Sequence, residues 1–497
     1  MQRQNDRGAS SRGTLRRFDR RSLLRGMGSG LVALAPLPAA LAADDTSAVM
    51  KTLSAYMDAA RARALPAEVV EKARHHILDT FAAMLSGTTL PPAKAALAFA
   101  RDHGADRTAT IVGSNLTAGP MEAALINGIL AHADETDDSN EFSQSHPGAP
   151  TVSAALAAGE KFGIGGEHFL RAVTLGYDVG CRMTISFNAL EFRNASHRST
   201  HAIAGIFAAA AAAGCAASLD ARQMRWLLDY TAQQSSGIGA WNRDTDHMEK
   251  AFVFGGMSAR SGVTAALLVH AGFNGLDDVL TGADNYYSAY APNGRPELLV
   301  EKLGERYEIA RTNIKKWTVG SPIQAPLDCI DNILRRHRPR PGDMKEIVIR
   351  LSHSEAKVVD NREMPDISVQ HMAAVALLDG TASFAAAHDR ARMADPAVLA
   401  MKSKIRLVRS DELEKLEPER VSIVEITLND GTLLSERVDR VRGTSTNPMT
   451  RAEVAEKARD LVTPVIGAAA TTAFIDTMLG IEKVTDVRQL RRVLQKA

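Results

Sequence analysis

Apolar residues recur at helical spacing through most of the chain beyond residue 43. This periodicity predicts helices over residues 46–64, 67–86, 120–131, 151–162 and 168–186, and a further helix that begins at Pro91 or Pro92. Residues 202–217 are mostly alanine and contain no charged side chain. Because a helix that is apolar on every face is normally buried, this segment predicts a central core helix.

The pattern changes to mixed strand and helix near residue 312. Alternating or β-branched runs predict strands over residues 347–351, 404–408 and 423–428, with a shorter candidate earlier at 108–112, and helices over 368–378 and 396–401. The Asn429-Asp430-Gly431 sequence that follows the last of these strands is a hairpin signal. This part of the chain is therefore expected to form an α+β module.

Beyond residue 446 the chain returns to helix, and Thr450 and Glu453 have the spacing of a capping box. The sequence thus predicts a mainly α protein. Residues 44–312 and 447–497 are expected to form one large all-helical domain, into which an α+β domain of residues 313–446 is inserted.

The first 43 residues have a different character, with eight arginines and two acidic residues. Arg20-Arg21 is followed by Ser22-Leu23-Leu24-Arg25, then by an apolar stretch and small residues up to Ala43. This order is typical of a twin-arginine (Tat) signal peptide, and a disordered basic arm is the alternative. The signal predicts recognition by the Tat export machinery, cleavage near Ala42 and a periplasmic product.

This basic segment masks the charge of the remaining chain. The formal net charge is +1, but beyond residue 43 there are 51 basic and 56 acidic side chains. A mildly acidic body gives no reason to expect nucleic acid as a partner, and no membrane anchor is expected. The three cysteines are odd in number and lie in apolar surroundings, which favours buried free thiols over disulfides.

The densest group of chemically active side chains lies in residues 131–147, directly after an apolar helical segment. It comprises His132, Asp134, Glu135, Asp137, Asp138, Ser139 and His146. Crowded like charges disfavour each other's ionisation, so at least one pKa in this run is expected to move. A functional site is one interpretation, and a solvated acidic turn that caps the next helix is the other.

The order of motifs along the chain resembles that of the MmgE/PrpD family, which includes 2-methylcitrate dehydratase, cis-aconitate decarboxylase and iminodisuccinate epimerase. The motifs are Ile77-Leu78-Asp79-Thr80, Asn127-Gly128, Asp137-Asp138-Ser139, His146-Pro147, Gly176-Tyr177, Ser236-Gly237, Lys250 with Gly255-Gly256 and Gly262, Ala271-Gly272-Phe273 and Lys315-Lys316-Trp317. The resemblance extends from about residue 49 to the C-terminus. It implies a helical domain with an inserted lid, a homodimer without cofactor, and an active site between helical domain and lid that takes a small di- or tricarboxylate.

The resemblance also implies which residues act on the substrate. Making or breaking a bond next to a carboxylate needs a base, an acid and cations. His146 is expected as the acid/base residue because imidazole titrates near neutral pH, with a structural histidine as the alternative. Lys250 is expected to act beside His146, either with a lowered pKa or by binding a substrate carboxylate. The alternative is that Lys250 only forms a surface ion pair with Glu249 or Asp246.

Further side chains match pocket positions of the family. The residues expected to bind substrate are Glu135, Asp137, Asp138, Ser139, Arg260 and Gln324. A second catalytic histidine is expected at His197 or His201, and spacing alone does not decide between these two. Glu135 and Ser139 share a face if their segment is helical. Helix capping is the alternative for the acidic run, and a Mg²⁺ or Mn²⁺ site is another, although the resemblance implies no metal. His247 is expected to border the pocket.

The chain departs from the family pattern in the lid. Dehydratases and decarboxylases of the family carry a histidine where this chain has Gln324, and an amide cannot transfer protons. His371 is a candidate replacement, with a buried structural histidine as the alternative.

Three functions follow from the sequence. The first is a cofactor-independent lyase, most simply a 2-methylcitrate dehydratase-like hydro-lyase, with an isomerase or epimerase of a dicarboxylate as the alternative that Gln324 favours. The second is a periplasmic binding protein without turnover, and the third is a metalloenzyme.

Overall fold

Helices dominate this computed structural model, which describes residues 46–103, 106–417 and 419–496. The helices before residue 313 are α1 (Ala48–Ala59), α2 (Ala67–Gly87), α3 (Pro91–His103), α4 (Pro120–Ala131), α5 (Gly148–Phe162), α6 (Gly166–Ile185), α7 (Ala189–Ser196), α8 (Thr200–Ala216), α9 (Ala221–Gln234), α10 (Met248–Ala251), α11 (Met257–His270) and α12 (Tyr286–Tyr290). A short antiparallel pair, β1 (Ala109–Thr110) and β2 (Thr117–Ala118), separates α3 from α4. The Tat signal predicted at residues 1–43 lies outside the described residues.

Helix α8 lies at the centre of the helical part, and all 17 of its residues are buried. Its neighbours approach closely because they present glycine. A Cβ on Gly176 of α6 would lie 2.8 Å from the carbonyl oxygen of Ala208, and one on Gly262 of α11 would lie 2.4 Å from the amide nitrogen of Ala210. The buried core helix predicted from the alanine-rich run is therefore confirmed.

A four-stranded mixed sheet and its helices occupy the region between residues 313 and 446. The elements are α13 (Ser321–His337), β3 (Met344–Leu351), α14 (His353–Val359), α15 (Val369–Asp379), α16 (Phe384–His388), α17 (Pro396–Lys402), β4 (Ile405–Arg409), α18 (Asp411–Glu414), β5 (Ser422–Leu428) and β6 (Leu433–Val438). The strand order is β4-β3-β5-β6, with β4 parallel to β3 and the other pairs antiparallel. Strands β5 and β6 form a hairpin across the predicted turn, where Gly431 has a φ of +89°.

The chain then returns to helix with α19 (Arg451–Ile466), α20 (Ala468–Leu479) and α21 (Arg491–Leu494). Thr450 and Glu453 form the predicted capping box at the start of α19. Buried apolar residues gather into one large cluster from residues 50–314 and 449–494, and another from residues 319–441. The chain passes from the first cluster to the second between Ile314 and Val319.

Some sequence-based boundaries were wrong. The first helix ends at Ala59 rather than residue 64, and the early strand is only Ala109–Thr110. The helical run Met248–His270 is long and apolar enough to cross a membrane by length and composition, and 61% of its most apolar window is buried inside the protein, as in a core helix. The three cysteines, Cys181, Cys215 and Cys329, are buried and free, as predicted.

Candidate active site

The acidic run that follows α4 is folded into the interior. Residues 131–138 are all buried, and the chain leaves the helix at His132 without forming another helical turn before residue 139. The alternative of a solvated acidic turn is therefore wrong. Glu135 and Ser139 would share a face only in a helical segment, and this segment is not helical. Because a buried carboxylate needs a compensating partner, each acid of the run must be matched by another part of the chain.

Asp137 joins two histidines. Its Oδ2 lies 2.9 Å from Nδ1 of His132 and its Oδ1 lies 3.0 Å from Nδ1 of His146. Because an ionised carboxylate only accepts hydrogen bonds, both Nδ1 atoms carry a proton. In a neutral imidazole with its proton on Nδ1, the lone pair is on Nε2. Burial alone would raise the pKa of Asp137, but the two imidazoles hold it well below its usual value.

Glu135 is held by two lysines. Lys250 Nζ contacts Oε1, and Lys315 Nζ lies 2.7 Å from the backbone carbonyl oxygen of Glu135 and 3.4 Å from Oε2. Lys315 also lies 3.9 Å from Asp137 Oδ1. Burial would raise the pKa of Glu135, but the two ammonium groups keep it well below the usual value. The alternative of a surface pair between Lys250 and Glu249 or Asp246 is wrong.

The two remaining acids of the run link the site to its surroundings. Asp138 accepts hydrogen bonds from His76 Nδ1 at 2.7 Å, from the Gly148 amide at 2.9 Å and from the Tyr177 hydroxyl. Both of its oxygens are thus used inside the protein, which corrects the expectation that it binds substrate. Asp134 instead contacts a residue of the α+β part.

Asp134 Oδ2 lies 2.9 Å from Nε2 of His388 on α16. The other ring nitrogen of His388 lies 2.7 Å from the carbonyl oxygen of Phe384. Burial would lower the pKa of His388, but Asp134 raises it to about 9, so this imidazole is a cation at neutral pH. Sequence reasoning missed His388 because no local motif marks it.

Four buried imidazoles lie close together, and three of them contact Phe254. We call His132, His146, His201 and His247 the imidazole cluster. Ring centroids are separated by 4.9 Å for His132 and His146, 5.1 Å for His132 and His247, and 5.3 Å for His146 and His201. Phe254 stacks on His201 at 3.9 Å and on His132 at 4.6 Å. The aromatic ring thus fixes the orientation of the cluster, a role that sequence reasoning did not assign to it.

Burial keeps three of these imidazoles neutral. It lowers the pKa of His146, with Lys315 acting in the same direction and Asp137 opposing. The pKa values of His201 and His247 lie well below the usual value, chiefly through burial. Neutral imidazoles with free nitrogens can accept protons, so the cluster is suited to general-base chemistry.

The structure chooses between the two candidate histidines before α8. His201 lies in the first turn of that helix and is 9% exposed. His197 is exposed, with a φ of +57° at the end of α7. The expectation that His197 is catalytic is therefore corrected in favour of His201. His247, which was expected to border the pocket, is a member of the cluster, and neither of its ring nitrogens has a hydrogen-bond partner among the described residues.

A π-helical turn, Phe252–Gly256, places Lys250 and Phe254 against α4. A Cβ on Gly255 would lie 2.0 Å from the carbonyl oxygen of Gly128, so the two backbones touch. Such turns insert one extra residue into a helix and occur often at functional sites. Lys250 Nζ lies 5.4 Å from the Phe254 ring centroid, at the edge of the imidazole cluster.

Two predicted residues, Arg260 and Gln324, do not join this cluster. Arg260 is exposed on α11 and, among the described residues, its guanidinium makes no hydrogen bond or ion pair. Gln324 is committed to the backbone: Oε1 accepts from the Trp317 amide at 3.0 Å, and Nε2 donates to the carbonyl oxygens of Trp317 and Val319 at 2.8 and 3.0 Å. It therefore shapes the turn before α13 instead of facing a substrate.

His371 and Ser139 also lie outside the imidazole cluster. Burial lowers the pKa of His371 to about 4, and the charged groups that act on it are Lys402, Arg392 and Asp389, all in the α+β part. It is the buried structural histidine of the alternative interpretation. Ser139 is half-buried, pairs with Asn313 through two backbone hydrogen bonds, and receives a hydrogen bond of 3.4 Å from Ser321 Oγ.

Among the residues that the structure describes, two sets of side chains have atoms close enough together to bind one metal ion: His132 with Glu135 and His247, and His132 with Asp137 and His146. Imidazole nitrogens suit Zn²⁺ better than Mg²⁺ or Mn²⁺. Lys250 and Lys315 already neutralise the carboxylates of both sets, so a divalent cation would have to displace a buried ammonium group. The arrangement thus favours an anionic ligand over a cation.

Comparison with known proteins places most of the chain in two matched segments. Residues 51–299 match the MmgE/PrpD N-terminal domain and residues 317–482 match the MmgE/PrpD C-terminal domain. A cis-aconitate decarboxylase-like protein of Aspergillus oryzae is 23% identical over 458 residues, covering 86% of this chain and 93% of that protein. The cis-aconitate decarboxylase of Aspergillus terreus is 23% identical over 470 residues, with coverage of 86% and 92%, and that of Homo sapiens is 24% identical over 462 residues, with coverage of 86% and 90%. These similarities support a lyase that acts on a carboxylate.

Proposed function

Because this chain belongs to the MmgE/PrpD family, we propose that it is a cofactor-independent lyase that moves a proton at a carbon next to a carboxylate of a small di- or tricarboxylate. The observation that carries the proposal is the Asp137 bridge. It leaves His146 neutral, with its proton on Nδ1 and a lone pair on Nε2, near the buried Lys315 and the half-buried Lys250. A base and nearby cations are the parts that such a proton abstraction requires.

The positive charge of the two lysines is the reason that we propose an anionic substrate. Lys250 and Lys315 hold Glu135 in the free protein. An incoming substrate carboxylate can take the place of Glu135 at Lys250, whose side chain is 14% exposed, while Lys315 stays with the protein. We therefore assign His146 as the base, Lys250 as the substrate-binding cation and His201 as a neighbouring proton carrier.

Dehydration in the manner of 2-methylcitrate dehydratase is the reaction we propose first. Decarboxylation is the second candidate, because the relatives named above are cis-aconitate decarboxylases or resemble them. Epimerisation of a dicarboxylate uses the same proton abstraction without loss of a group, so it is the third outcome that the same experiment detects.

The test is incubation of the purified protein with a panel of di- and tricarboxylates in D₂O, followed by NMR. We expect exchange of a carbon-bound hydrogen next to a carboxylate, with loss of water or CO₂ from at least one substrate. His146→Gln and Lys250→Ala should each lower turnover by about 10²-fold or more and leave the fold intact. His197→Gln is the matched control, since that histidine is exposed, and it should retain full activity.

Other outcomes distinguish the alternatives. Tight binding of a carboxylate without exchange or product would indicate a binding protein. Stoichiometric Zn²⁺, Mg²⁺ or Mn²⁺ in the purified protein, with activity lost on chelation, would indicate a metalloenzyme. Full activity of either His146→Gln or Lys250→Ala would remove the proposed site.

Export and dimerisation are further parts of this proposal. Replacement of Arg20 and Arg21 by lysine should retain the protein in the cytoplasm, as fractionation would detect, and continued export would mean that residues 1–43 are not a Tat signal. Met248 and Phe252 are exposed apolar side chains that lie close to Lys250 in sequence, and they support a subunit contact there. Sedimentation equilibrium should give twice the mass of one chain.

A further inference from the structure

The α+β part must supply its own titratable group if it takes part in proton transfer. Gln324 cannot titrate and is bound to the backbone, and His371 faces other charges. His388 is occupied by Asp134 and by the carbonyl oxygen of Phe384. Lys315 is paired with Glu135 and Asp137. Asp366 is a buried acid of this part without such a partner among the described residues, at a position that no sequence motif indicated.

Asp366 lies in a 3₁₀ turn, Pro365–Ile367, just before α15. Its carbonyl oxygen accepts a hydrogen bond of 2.9 Å from the Gly320 amide. The next residue of the chain after Gly320 is Ser321, whose hydroxyl meets Ser139 at the end of the acidic run. The backbone of Asp366 is therefore tied to the segment that contacts the site.

Flanking residues bring the same region against the helical part. Arg362 Nη2 donates to the carbonyl oxygen of Asn242 at 3.3 Å, and Arg390 Nη2 donates to that of Thr245 at 3.0 Å. These contacts lie on the loop that leads into His247 and Lys250. Asp366 is thus held between two anchoring contacts, on the side of the site formed by the α+β part.

The carboxyl group of Asp366 is buried but uncommitted. The residue is 6% exposed, and among the described residues none makes a hydrogen bond to its side chain. The charged groups that act on it are His388, Glu135, Asp134 and Lys250. Burial raises its pKa to about 6, the two carboxylates act in the same direction, and the two cations oppose them. An anionic substrate would raise this pKa further and favour the protonated acid.

We propose that Asp366 is the general acid of this site, supplied by the α+β part and paired with His146 as the base. The inference rests on the proposed lyase function. In a dehydration, His146 Nε2 takes the proton from carbon, and the neighbouring carboxylate first holds the C–H electron pair as an enolate. The pair then forms the new C=C bond. The C–O electron pair leaves with the hydroxyl oxygen, which takes the Asp366 proton and departs as water. Asp366 is left as a carboxylate and His146 as an imidazolium, and solvent restores both.

The division of labour can be tested with Asp366→Asn, compared with His146→Gln and the wild type. Each protein is incubated with the carboxylate turned over by the wild type in D₂O, and NMR follows both deuterium incorporation at carbon and product. We expect Asp366→Asn to lower product formation by about 10²-fold or more while deuterium incorporation continues, because proton abstraction still works. His146→Gln should lose both signals.

Glu363→Gln is the matched control, because this exposed acid lies three residues away in the same loop. It should behave as the wild type, and thermal unfolding should show that Asp366→Asn remains folded. In the wild type, kcat/KM should fall as pH rises through the pKa of Asp366, and this fall should be absent in Asp366→Asn.

Each result decides a different question. Product formation by Asp366→Asn at the wild-type rate would overturn the inference and leave the proposed function standing. Equal loss of exchange and product would also overturn it, since it would mean a structural role. A wild type that neither exchanges nor converts any carboxylate would overturn both the inference and the proposed function.

Discussion

Replacement of Asp137 by asparagine tests how the buried carboxylate sets the proton positions of the site. The amide keeps the shape but has one acceptor oxygen and one donor group, whereas the carboxylate accepts from two imidazoles. One of His132 and His146 must therefore accept at Nδ1 and move its own proton to Nε2. If this is His146, the base is lost.

The magnitude follows from the contacts. Two hydrogen bonds of 2.9 and 3.0 Å to a charged acceptor are affected, and Lys315 loses a countercharge at 3.9 Å. Hydrogen bonds to charged groups contribute about 1.5–3 kcal/mol each, and relief from burying the carboxylate offsets part of the loss. We expect the free energy of unfolding to fall by about 2–3 kcal/mol and turnover by about 10²–10⁴-fold.

The pH dependence of this stability difference has a definite sign. The pKa of Asp137 is lower in the folded protein than the value of about 4 in an unfolded chain. Its contribution is therefore present above pH 4 and is lost as the pH falls towards the folded pKa. Wild type and Asp137→Asn should differ most at pH 7 and less at pH 3.

Urea unfolding at both pH values measures the stability, and NMR titration of the imidazole signals measures the tautomer and pKa of His146. Because Asp137 opposes the lowering of the His146 pKa, the variant should titrate at still lower pH. Asp476→Asn, an exposed site on α20, is the control. A variant with wild-type stability and an unchanged His146 tautomer would refute the reasoning.

Two further substitutions test the frame of the site. Gln324→Ala should lower the free energy of unfolding by about 1–3 kcal/mol, because it leaves the Trp317 amide and two carbonyl oxygens unpaired. A selective rise in KM without loss of stability would instead mean that Gln324 binds substrate. Gly255→Ala should lower the free energy of unfolding by about 1–3 kcal/mol or more, because the added Cβ meets the Gly128 carbonyl oxygen. Gly342→Ala is the control and should be tolerated, since a Cβ there has no described atom within 4 Å. Equal melting temperatures for the two variants would contradict the close contact.

Much of the secondary structure could be read from the chain because its causes are local. The alanine-rich run specified a buried helix, and Thr450 with Glu453 specified a helix start. The hairpin followed from Asn429-Asp430-Gly431. Segment ends were less accurate, since the first helix stops at Ala59, before the predicted residue 64.

The sequence by itself also indicated the candidate site, because residues 131–147 carry their histidines and acids in one short run. Only the tertiary structure decided what each of them does. Glu135 meets Lys250 from 115 residues away, and Asp134 meets His388 from the α+β part. His201 and His197 have equal claims in sequence and are separated only by burial against Phe254. The physical reason is that burial and pairing set the charge of a side chain, and both depend on segments that are distant along the chain.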